Sequence, residues 1–103
     1  MRTFKMFDIE ITYDNFGPMN FNEPNDYLRD TGFYLPTIKH MPIFRLLREE
    51  AIGNFLVNES YWTAMFMGLN FSALTYMFTA TNKFLRENIY IREECYFKLI
   101  RIL

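Results

Sequence analysis

From Ser60 to Asn82 the chain runs for 23 residues, SYWTAMFMGLNFSALTYMFTATN, without a charged side chain. Ordinary sequence carries charge at roughly a quarter of its positions, so a given window this long lacks charge in under about 1% of cases. A bilayer core asks for about 20 mostly apolar residues in a helix, and the run satisfies that length. The pattern therefore predicts a mainly α chain with a single transmembrane helix over about 59–82. Asn58 or Ser60 would cap it, with Glu59 in its first turn.

The flanks and faces of the run agree with that expectation. Tyr61 and Trp62 at one edge, with Lys83 and Arg86 at the other, take the positions of membrane-interface anchors. At 100° per residue, Ala64, Gly68, Ser72, Thr75 and Thr79 share one narrow sector, while Trp62, Phe66, Leu69 and Met77 fill the far side. Five small side chains on one stripe form a helix-packing interface, because they let a second helix approach closely. Against a span stand Asn70, Ser72, Tyr76 and four threonines, and Asn70 lies away from the small-residue sector. A buried asparagine needs a hydrogen-bond partner in hydrocarbon, so such a helix belongs among other helices. The alternative is a buried element of a small soluble α+β domain.

Upstream, residues 1–41 read as an extended arm rich in aromatics. Phe7 to Asp14 alternates apolar and polar residues, the period of a half-buried strand, and marks a short strand at 7–13. Three prolines and two glycines between Asn15 and Met41 exclude a long helix there. Phe16, Phe21, Tyr27, Phe33 and Tyr34 nonetheless need burial, for which a partner surface is the expected host. Pro42 suits the first position of a helix. Ile43, Leu46, Leu47 and Ala51 then recur at helical spacing, giving an amphipathic helix over 42–53 that stops at Gly53-Asn54. The tail, 83–103, mixes helical spacing with short alternations such as Ile89-Tyr90-Ile91, and is expected to be helical.

Composition limits the chemistry. The 103 residues carry eleven basic and twelve acidic groups, a formal net charge of −1, which offers no field for nucleic acid. Single Cys95 excludes an internal disulfide, and the charged opening MRTFKMFDIEITYD is not expected to act as a signal or transit peptide. Cys95 and His40 are the only residues of their kinds, so no metal-ligand set, cofactor site or catalytic residue is expected. His40 reads as a surface or interface residue before a helix. Glu49-Glu50 and Glu93-Glu94 read as solvated faces, because sequence neighbours point apart on a helix. Two glycosylation tripeptides, at Asn58 and Asn70, are discounted, and Met65, Met67 and Met77 are read as packing residues.

Residues 83–103 hold five basic and three acidic groups against six and nine in residues 1–59, so the positive-inside rule places the C-terminus in the cytoplasm or matrix. In layout the chain resembles the small supernumerary subunits of mitochondrial respiratory complexes and ATP synthase. That resemblance implies a noncatalytic accessory subunit in the inner membrane, with other subunits and lipids as partners and no small-molecule substrate. A soluble α+β protein-binding or adaptor domain is the other reading.

Overall fold

The charge-free run folds as a β-hairpin. In the computed structural model, which describes residues 2–24, 28, 31–68 and 71–103, its two arms are β4 (Tyr61–Met67) and β5 (Ser72–Phe78). They pair antiparallel from Tyr61 opposite Tyr76 to Met67 opposite Ser72. Among the described residues no helix is long and apolar enough to cross a membrane. The described residues are 43% strand and 16% helix, which corrects the mainly α expectation and matches the α+β alternative. The single-pass topology, the matrix-facing C-terminus and the inner-membrane location all rested on the span, and they fall with it.

The physical reason lies in which residues make up the run. Tyr, Trp, Phe and Thr dominate it, and these favour a pleated, packed surface over a helix. Absence of charge is shared by a membrane helix and by central strands covered on both faces. The second applies to residues 61–63 and to most of β5, while residues 64–67 are exposed. Successive side chains of a strand point to opposite faces, so Tyr61 enters one core and Trp62 another, and both are fully buried. Leu69 and Asn70, cited above for and against a span, lie outside the described residues.

The hairpin is the middle of a five-stranded sheet ordered β3-β7-β4-β5-β6, where β3 is Phe16–Met19, β6 is Phe84–Tyr90 and β7 is Cys95–Phe97. A three-stranded sheet, β1-β2-β8, joins β1 (Thr3–Met6) and β2 (Ile9–Thr12) to β8 (Ile100–Ile102). The alternation around residues 7–13 thus marks a central strand, whose partners are its own upstream neighbour and the distant tail. The tail expected to be helical supplies β6, β7 and β8. Helix α1 spans Met41–Glu49, with Pro42 in its first turn and Met41, Phe44 and Leu47 turned inward.

Two cores result. The first gathers Ile9, Ile11 and Ile100 from the small sheet, the buried face of α1, and Tyr61, Tyr76 and Phe78. The second, on the opposite face of the large sheet, gathers Phe33, Leu35, Trp62, Ala73, Cys95, Phe97 and Leu99. Phe16 and Phe21 pack against the second and Tyr34 against the first. The aromatics of the arm are therefore hosted by the chain itself, not by a partner; Tyr27 lies outside the described residues. Trp62 donates its indole N–H to the Met19 carbonyl at 2.9 Å, tying the arm to the sheet.

Lys98 is buried with no exposed surface. Its ammonium donates to the carbonyls of Thr12 (3.1 Å) and Tyr13 (2.8 Å) and lies 4.9 Å from the centre of the Phe55 ring. Burial pushes its pKa down to about 7, against a smaller upward pull from Asp14. On β2, Glu10 is held below the usual carboxylate range, first by the Thr3 hydroxyl and then by Arg101. Arg101 donates to it through Nε at 3.1 Å.

Two outcomes are expected. Phe7 is 68% exposed and holds a φ of 57° in the turn between β1 and β2, a left-handed conformation that costs a side-chain-bearing residue about 1–2 kcal/mol. Phe7→Gly relieves that strain but returns about 0.4–1 kcal/mol of freedom to the unfolded chain. A net gain of about 0.5 kcal/mol is therefore expected in urea unfolding; a loss of about 0.5 kcal/mol or more would show that the turn carries no strain. For Lys98, the unfolded chain binds its proton up to the ordinary lysine pKa, the folded chain only below about 7. Stability therefore rises with pH above about 7, by up to about 1.4 kcal/mol per pH unit. Above about pH 8.5 the buried thiol of Cys95 and the phenols of Tyr61 and Tyr76, all pushed up by burial, act in the opposite direction. Urea titrations between about pH 7 and 8.5 are expected to show the rise in the native chain and none in Lys98→Met.

Candidate functional site

A cleft of about 690 Å³ opens where β6, the turn after it, β7 and the segment leading into β4 converge. β6 contributes Glu87, Asn88, Ile89 and Tyr90, the turn Glu93 and Glu94, β7 Cys95 and Tyr96, and the lead-in Asn58, Glu59 and Ser60. Pro18 of β3 closes one side. Among the described residues no lysine or arginine lines it.

Local sequence explains how these residues meet. The Glu93 N–H bonds back to the Tyr90 carbonyl at 2.9 Å, reversing the chain so that Glu93-Glu94 face β6. Asn58, at φ 62°, donates its N–H to the Phe78 carbonyl at 2.7 Å, and the Ser60 carbonyl accepts from Tyr96 at 3.0 Å. Those bonds hold Glu59 at the rim. Gly17 permits the approach of β3 to β7. Its φ is 99°, and a Cβ there would stand 3.0 Å from the Cys95 carbonyl oxygen.

The four carboxylates Glu59, Glu87, Glu93 and Glu94 are exposed. Among the described residues the ion pairs are Arg2–Asp14 and Arg101–Glu10, so none of the four is neutralised. Their field reaches inward. Burial, then the charges of Glu93 and Glu87, push the Cys95 thiol up to about 12, which keeps it protonated and a poor nucleophile. Among the described residues no group of three His, Cys, Asp or Glu side chains could hold a metal ion. What the arrangement can do chemically is attract and hold cations.

The residues singled out in sequence fall elsewhere. The sector of small side chains exists only at 3.6 residues per turn. In strands it disperses: Ser72 and Thr75 lie on opposite faces of β5, both buried. Ala64 sits at an irregularity in β4 where its N–H leaves β5 for the Pro36 carbonyl at 2.9 Å, and Gly68 is exposed just beyond β4. Thr79 follows β5, its hydroxyl accepting from the Lys83 N–H at 3.0 Å. Of the membrane anchors, Tyr61 and Trp62 are core residues and Lys83 and Arg86 are exposed at and near the β5–β6 turn. Arg86 lines a smaller cleft of about 280 Å³ with Arg45 and Phe84.

His40, expected as a surface or interface residue, is buried within the chain. Its Nδ1 accepts from the Thr37 N–H at 3.0 Å, and burial, then Lys39, lower its pKa. Sequence reasoning missed the cleft because it counted the tail as basic. Lys98 is interior and Arg101 is paired with Glu10. That leaves three exposed bases, Lys83, Arg86 and Arg92, against the three exposed glutamates, and the cleft gathers the glutamates. The available signal was three glutamates within eight residues, Glu87 to Glu94, around one turn. No protein-family model matches the chain, and comparison with curated proteins and with solved structures likewise gives no match.

Proposed function

We propose that the chain is a noncatalytic protein-binding domain whose acidic cleft receives a lysine- or arginine-bearing segment of a partner protein. The observation that carries this reading is the set of four un-neutralised glutamates around one cleft with no basic residue in its lining. Like charges gathered around a concavity raise the local potential and speed the encounter with cations. The same field repels phosphate backbones. The cleft is open and its walls are polar and exposed, which suits a chain segment that stays partly hydrated. Contacts of this kind are individually weak, about 0–1 kcal/mol each, so the affinity should come from several at once and fall with salt.

The test is fluorescence anisotropy with two labelled octapeptides, one alternating lysine and threonine, one alternating glutamate and threonine. Expected is saturable binding of the lysine peptide alone, weakening steeply between about 0.05 and 0.5 M salt. Glu87→Gln, Glu93→Gln and Glu94→Gln are each expected to raise its Kd about two- to fivefold. These exposed substitutions leave both cores intact, so loss of folding will not confuse the result. Equal binding of the acidic peptide, or indifference to all three substitutions, would overturn the reading.

A further inference from the structure

The large sheet ends at β6. All seven of its residues are in register with β5, from Phe84 opposite Phe78 to Tyr90 opposite Ser72, without a bulge. In an antiparallel pair, alternate residues turn their N–H and C=O groups away from the partner. β6 thus presents a regular row of donors and acceptors on its outer side. Among the described residues no strand is laid along it, and the Glu93–Tyr90 turn bond touches only its last residue. It also lacks the proline and bulges that usually blunt such an edge.

The edge and the cleft share a wall. Register places Glu87 with Thr75 and Ile89 with Ala73 on the face of the second core, from which they line the cleft. Asn88 and Tyr90, which also line it, alternate with them along the edge. Arg86, opposite Tyr76, falls on the other face. We infer that β6 binds its partner by strand addition: an extended segment pairs with its outer edge and sends alternate, basic side chains over the cleft. The aliphatic stem of a lysine would cover half-exposed Leu85 or Ile89 while its ammonium reaches Glu87 or Glu93. This rests on the reading of the cleft given above and specifies the partner further. Its sequence should alternate, with lysine or arginine on the cleft side and no base opposite Arg86.

A second copy of this chain is a poorer occupant, for a reason of parity. Two strands related by a twofold axis pair residues on the same face, so the axis must pass through a residue. Centred on Arg86 it sets Arg86 against its own copy; centred on Glu87 it sets Glu87 against its own copy. Like charges directly opposite are destabilising. The complementary pairing of Arg86 with Glu87 would join side chains on opposite faces and cannot form. Only the register centred on Glu87 pairs all seven residues of β6; those centred on Arg86 or Asn88 pair five, and every one sets two acidic clefts on the same side of one sheet.

Four octapeptides of one composition test this against the full chain. One alternates lysine and threonine, one carries its lysines as a block followed by its threonines, and two are the alternating peptide N-methylated on either the lysines or the threonines. Anisotropy gives each Kd, and hydrogen exchange follows the β6 amides. Expected is about tenfold tighter binding of the alternating than of the block peptide. One N-methylated set should lose binding while the other keeps it, since only alternate residues face β6, and exchange in β6 should slow when peptide binds. If all four bind alike and β6 exchange is unchanged, strand addition is overturned while the cleft reading stands. If none binds, both are overturned. Protection of β6 that rises with protein concentration in the absence of peptide would overturn the choice of occupant in favour of a second copy.

Discussion

The rings of Tyr61 and Tyr76 lie parallel, 10° apart in tilt, with their centres 5.0 Å from one another across the β4–β5 pair. Much of the remaining structure is fastened to that stack. The Tyr61 hydroxyl accepts the Leu56 N–H at 2.8 Å and donates to the Asn15 side-chain oxygen at 2.5 Å, joining the loop after α1 to the N-terminal arm. The same residue pairs in parallel with Tyr96 of β7. Tyr76 meets Phe44 of α1 at 5.6 Å and Phe84 of β6 at 6.3 Å. Two tyrosines thus bring together the helix, four strands and two loops. Burying large aromatics in offset or edge contacts adds about 0.5–1.5 kcal/mol per pair beyond the area removed from water.

That concentration of aromatics explains why the most prominent feature of the sequence was misleading. Lack of charge reports burial, not the element that is buried. A run from Ser60 to Asn82 is long enough for a helix across a bilayer and equally long enough for two strands and a turn. The turn between them is not announced by an Asn-Gly or Asp-Gly pair. The discriminating evidence was residue type: threonines spaced along the run and tyrosines in its interior suit a sheet covered on both faces. Where a face was half-buried, period-two alternation was readable, as at Ile9 and Ile11 in β2. Proline at position 42 marked the start of a helix for the same local reason, its fixed φ and missing donor.

The candidate site was less legible than the fold because it depends on where charges point. Net charge of the tail is positive, yet Lys98 lies inside the protein and Arg101 is engaged by Glu10. The burial of Lys98 and the pairing of Arg101 are tertiary facts with no local signature. Glu93 and Glu94 were visible, but their relation to Glu87 required the reversal after β6, and their relation to Glu59 required the parallel contact of β4 with β7. The glutamates are gathered at one cleft while exposed Lys83, Arg86 and Arg92 lie outside its lining, and only the fold reveals that grouping.

The pairing of β2 with β8 has a consequence for how the chain is made. Ile9 stands opposite Ile102, and the Leu103 N–H reaches back to the Asp8 carbonyl at 2.9 Å. A ribosome delivers the first of these residues long before the last. During synthesis the β1–β2 hairpin, which is marginal alone in water, must wait without its third strand while almost the whole chain is translated. Contacts so distant in sequence also slow folding, since a large loop must close before they form. Ile9 and Ile11 stay uncovered through that interval. A nascent chain therefore keeps an apolar strand uncovered until β8 has been made, the kind of transient exposure from which misfolding starts.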